Sequence, residues 1–119
     1  MASEFGIGSE SDTLQQLVFQ DVVYHPLLID SLVPCVVGQV VQYNTTNDNW
    51  DAYTSGMAAS QYAVIAEAKT ISVDTKVSCV VKGSVRKSKL DSTAKADAEI
   101  DVALIKSGII PVTDNVRAS

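Results

Sequence analysis

Histidine occurs once, cysteine twice and proline three times in this chain of 119 residues, and each scarcity closes off a chemistry. A single His25, with no second histidine and no nearby carboxylate pair, leaves no constellation for metal ligation or for histidine-based acid–base work, and it reads as a plain loop residue. Cys35 and Cys79 stand alone in VPCVV and VSCVV. These settings suit small buried hydrophobes in a reducing compartment, with a Cys35–Cys79 bridge as the alternative. No apolar run approaches the roughly 20 residues that span a bilayer, and the first residues carry neither the basic region nor the apolar block of a secretory signal. Folding in a cytoplasm, with no membrane partner, is expected. There is no Ser/His/Asp set, no Cys/His ligand spacing, no P-loop and no GxGxxG. The carboxylates gather at turns and at the start of a helical pattern, where capping and solubility account for them. The chain is expected not to be an enzyme, with no catalytic residues, cofactor or metal.

Positive charge is also short, with nine Lys and Arg against fourteen Asp and Glu, a formal net charge of -5. Nucleic-acid binding leans on cations that neutralise phosphates, so no nucleic-acid partner is expected. The one local basic cluster, Lys82, Arg86, Lys87 and Lys89, reads as a solvated strand face. What the chain does have is apolar side chains, 46% of the total, enough at this length for one core without staples.

Residues 1–13 (MASEFGIGSESDT) are polar, acidic and without a period of 2 or 3.6, and MASEFGIGS (1–9) also reads as a cloning remnant. The segment LQQLVFQDVVY (14–24) turns apolar. It fits one helical turn or an extended edge strand, either docking on a partner by strand addition or packed as a first strand on its own domain. Residues 1–24 are accordingly expected to be an N-terminal arm and 25–119 a single β-rich domain. In the latter, LLIDSLVPCVVGQVVQY suggests two short strands broken by Pro34 and Gly38, and NTTNDNWDAYTSG a surface loop. Trp50 there is either a binding aromatic or a lid folded over the sheet. QYAVIAEA and SVDTKVSCVV predict strands, Gly83 a tight passage into SVRKSKL, and DSTAK a polar turn. DAEIDVALIKSG predicts an amphipathic helix with Asp97, Glu99 and Asp101 at its positive end and Gly108 terminating it, and IIPV an edge or end strand because of Pro111. The fold class expected is α+β, mostly β: a small β-barrel or β-sandwich-like body with one short C-terminal helix and an extended N-terminal arm. GSVRKSK also has the look of a lipoyl or biotinyl carrier hairpin, but no lysine stands in the turn that such carriers modify.

The order GQVVQY, an Asn/Asp loop, YAVIAEA, a β pair flanking VKGSVR, and an acidic helix ending in SGIIPV resembles the head decoration proteins of lambda-like tailed phages. The likeness covers Pro34 to Val112, and departs from the family in the loop around Trp50 and in a longer polar arm. It implies a structural protein on the outer capsid surface of the virion, assembled in the host cytoplasm. It also implies a homotrimer that stabilises the expanded head against DNA pressure, with the major capsid protein as its partner. Leu14, Leu17, Val18, Phe19, Val22 and Tyr24 would form the capsid-binding arm, with Leu17, Phe19 and Val22 filling pockets, and the body would fold without residues 1–20. The rival readings are a phage tail or fibre component, and a small carbohydrate- or peptide-binding module using Trp50 and Tyr53 as its platform.

Overall fold

Side chains alternate between the two faces of a strand, so a run that is apolar at successive positions must be covered on both sides. VVQY and YAVI are such runs. The computed structural model describes Leu14 and residues 17–113, the side chains of Phe19 and Gln20 excepted. In it Val40, Val64 and Val80 enter one apolar cluster, while Val41, Ala63, Ile65 and Cys79 enter another. The elements are β1 (Val18–Ile29), β2 (Val40–Asn44), β3 (Asn49–Ala52), β4 (Tyr62–Ile65) and β5 (Thr75–Arg86), then a 3₁₀ turn (Lys87–Lys89), α1 (Ser92–Ala96), α2 (Ile100–Lys106) and β6 (Ile109–Val112).

The strands lie in the order β1-β3-β2-β4-β5-β6, and β1 also pairs with β5, so five strands close on themselves and β6 extends the sheet outside the ring. Closure rests on one parallel contact, Ile29 opposite Trp50. The cluster of Ile29, Val41, Ala63, Ile65, Val77 and Cys79, with Trp50 and Ala52 packed on it, draws on all five ring strands and on neither helix, which makes it the barrel interior. The second cluster holds Ala94 of α1 and Ile100, Ala103 and Leu104 of α2, so it is the layer between the outer sheet face and the helices. The body is therefore a mostly-β barrel with a small helical cover, the expected fold class.

Several local expectations give way. The boundary expected after Tyr24 has no counterpart, because β1 runs through it in antiparallel register with β5 from Val18 opposite Val85 to Ile29 opposite Thr75. The strand pair expected around VKGSVR is one continuous strand. Gly83 sits inside it at φ 118°, where a Cβ would lie 2.5 Å from Val22 Cα. Its missing side chain admits a close crossing of two irregular strands rather than a turn. The loop around Trp50 is a hairpin: Asn44 Oδ1 accepts from the Thr46 and Asn47 amides, and Asp48 takes φ 54°, which turns β2 back into β3. The single helix expected from Asp97 is shorter, and a second one precedes it. Asp91 caps DSTAK into α1, accepting from Ala94 N at 3.1 Å. Asp97 is extended, and its carboxylate accepts the Glu99 amide at 2.9 Å, a local bond that competes with helix propagation.

Candidate interaction surface

The residues expected to form a capsid-binding arm divide sharply. Leu17 is fully buried in the outer cluster, with Leu14, Val18 and Val22 packed against it, while Tyr24 is exposed. The side chain of Phe19 and residues 1–13 lie outside the described residues. Leu17 therefore fills a pocket of its own body and is not free to fill a partner's, and a cut after residue 20 removes a core side chain. Leu17 ties the start of β1 to the barrel.

The place where the arm leaves follows from register. β5 has β1 on one side and β6 on the other at its far end, with Val85 opposite both Val18 and Pro111 and Arg86 opposite Val112. Both ends of the described chain thus leave at the same pole, beside Arg86, whose Nη1 donates to the Val18 carbonyl at 3.3 Å.

The outer edges of the sheet are blunted by proline. Ser78 sends its carbonyl to Ala66 N and its amide to Glu67 Oε1, away from β1, so its partner Pro26 turns its nitrogen to the open side of β1. In β6 the Gly83 amide donates to the Gly108 carbonyl, so alternate residues 108, 110 and 112 bond toward β5, and Pro111 faces outward. Neither proline has an N–H to offer a neighbouring strand at these places.

The expected aromatic platform of Trp50 and Tyr53 is not formed. Trp50 lies in β3, half-buried over the barrel interior with its ring centroid 5.3 Å from that of Tyr43. Tyr53 belongs to the other cluster, 3% exposed, with its hydroxyl donating to Asp97 Oδ2 at 2.7 Å. Burial and that carboxylate push the Tyr53 phenol well above its ordinary range, while the Glu99 amide and the Tyr53 hydroxyl hold the Asp97 carboxyl below its own.

Beside Trp50 lies a groove of about 470 Å³ that was not expected from the residues, lined by His25, Leu27, Gln61, Val81 and Lys106. The Lys106 ammonium lies 5.4 Å from the Tyr62 ring centroid and donates to the Ala59 carbonyl at 3.1 Å. His25 is its only imidazole. Its walls come from strands distant in sequence, so only the tertiary pairing could have revealed it.

Cys35 and Cys79 are both free thiols buried in the interior cluster, and burial pushes the Cys79 thiol up to about 12. Among the described residues no three His, Cys, Asp or Glu side chains gather as metal donors. No protein-family model matches this chain, and no curated protein is similar to it.

Proposed function

We propose that this protein is a non-enzymatic capsid decoration protein, which binds the outer surface of an expanded phage head as a trimer and stabilises it. The observation that carries the reading is the placement of the resembling motifs. GQVVQY, YAVIAEA, VKGSVR and SGIIPV are scattered over the sequence, yet they supply β2, β4, β5 and β6, four consecutive neighbours in the sheet, under the short helix α2. A tether under load must also be tied to something rigid, and Leu17 ties the base of the arm into the core. Three such arms on one trimer would add by avidity, so each could be weak alone. The mechanism is mechanical: the arm pairs with the major capsid protein, and the barrel resists deformation because its strands close.

The test is the mass of the purified protein by light scattering, followed by co-sedimentation with expanded, DNA-free capsids of its phage. A trimer, or a monomer that becomes trimeric on capsids, should pellet with them, and the chain lacking residues 1–13 should stay in the supernatant. A full-length protein that stays behind refutes the reading.

A further inference from the structure

The interior face of the barrel is packed at one end and open at the other. By strand alternation His25 and Leu27 continue the row of Ile29 in β1, Val81 continues that of Cys79 in β5, and Gln61, just before β4, continues that of Ala63. The apolar packing stops at Leu27, Trp50 and Val81, which also line the groove of about 470 Å³. The groove gapes because strand pairing runs out on both sides of it: β1 meets β3 at Ile29 alone, and β4 meets β5 only at Val64 and Ile65. The Trp50 indole is braced by Tyr43, the two ring planes tilted at 56°. Lys106 is held at the wall twice, since its ammonium lies over the Tyr62 ring and donates to the Ala59 carbonyl at 3.1 Å, which leaves it two N–H donors. Among the described residues no carboxylate lines the groove. Asp51, next to Trp50, faces away by alternation and accepts from Asn44 Nδ2 at 2.8 Å, and Asp48 accepts from the Tyr43 hydroxyl. Neither His25 nor Gln61 has a side-chain hydrogen bond to a described residue, so the donors of both are available.

We infer that this barrel mouth binds a small carboxylic acid with a flat apolar body. The body lies on the Trp50 indole over Leu27 and Val81, and the carboxylate meets the Lys106 ammonium, with His25 or Gln61 donating a further hydrogen bond. The volume falls in the ordinary range of small-ligand sites, and barrel mouths are among the places where such sites occur. A neutral sugar fits less well, because Leu27 and Val81 neither donate nor accept and a hydroxyl offers the ammonium no more than water does. A cationic ligand is repelled by Lys106, with no carboxylate on the wall to offset it. The site goes beyond the decoration reading and is tested without capsids.

The chain has one tryptophan, so its fluorescence reports on the groove directly. The full chain is titrated at constant ionic strength with 3-phenylpropionate, with its neutral amide and with 3-phenylpropylamine. The acid should give a saturable change with a dissociation constant of about 1–5 mM, the scale for a ligand of this size. The amide should bind about three- to fivefold more weakly, and the amine more weakly still. Lys106→Gln should weaken the acid by about the same factor and leave the amide within about twofold, a difference that a general loss of structure does not produce. Gln61→Glu, an isosteric change at an exposed position, should weaken the acid and strengthen the amine. Thermal melts verify folding, and Gln61→Glu carries the test if Lys106→Gln does not fold. The inference is overturned by no saturable response to the acid, by equal binding of acid and amide, or by acid binding left unchanged in either folded variant.

Discussion

Single residues at which two elements share one partner carry the sharpest expectations. Asp91 is such a point: one carboxylate oxygen accepts from Ala94 N and starts α1, while the other accepts from Val40 N at 2.8 Å and fixes the start of β2. Asp91→Ala removes a cap and strands a buried amide, and should cost about 2–4 kcal/mol in urea denaturation. Ser92→Ala alongside it, an exposed residue of the same helix, should cost almost nothing. Two titrating groups bound the pH range of stability from opposite sides. The Asp97 carboxyl is held low, so its contribution is present above the unfolded carboxyl value near 3.8 and is lost as pH falls through the lower folded value. The Cys79 thiol is raised from 9.0 to about 12, so the native state favours its neutral form. Its contribution is complete below pH ~9 and is lost as pH climbs from there toward 12, by about 1 kcal/mol per pH unit for this group alone. Urea midpoints between pH 8 and 11 should therefore fall more steeply in wild type than in Cys79→Ala. Equal slopes would show that the thiol titrates as it does in the unfolded chain.

At the scale of elements, the first strand decides where the arm ends. Removing residues 1–13 should leave the thermal midpoint nearly unchanged, whereas Leu17→Ala, in a side chain with no exposed surface, should cost about 2–5 kcal/mol. Removal through residue 20 should unfold the protein or leave it with expanded packing, which near-ultraviolet circular dichroism would reveal. The sequence reading put the arm's end at Tyr24 because Gln15, Gln16, Gln20 and Asp21 interrupt the apolar pattern. It had no means of seeing that β5 is long enough to pair with β1, through irregular register, back to Val18. Elements whose apolar spacing is strong, β4, α2 and β6, were legible from the residues. Those set by a side chain reaching across the fold were not. α1 exists because Asp91 caps it, and β3 because the Asn44 turn folds Trp50 back beside Tyr43. Gly83 was recognised as a place needing glycine, but whether for a turn or for a crossing depended on Val22, which lies sixty-one positions away. The candidate surface was legible in the same partial way. Trp50 was evident as an aromatic, while the groove beside it required the pairing of strands distant in sequence.

For the whole molecule, a β-rich body must keep its sheet edges from adding strands to those of neighbouring copies. The ring closes through a single contact at Ile29, so among the described residues β1 is open before it as β6 is on its outer side, and each carries a proline whose nitrogen faces outward. With three prolines in the chain, finding two at these places ties their position to the edges rather than to turns. Pro26→Thr and Pro111→Thr restore an outward N–H and a β-branched side chain without touching the ladder to β5. The double variant should keep the wild-type far-ultraviolet spectrum and melt within a few degrees of wild type. In sedimentation velocity it should form concentration-dependent species larger than the wild-type particle, and these should dissociate in mild denaturant before the barrel unfolds. If it sediments as wild type does at every concentration, the edges are protected by something other than the prolines, such as the exposed charge of Asp21 or residues beyond Thr113. If it unfolds instead, the two strands' φ angles at these positions depend on proline, and the stabilising role outweighs the protective one.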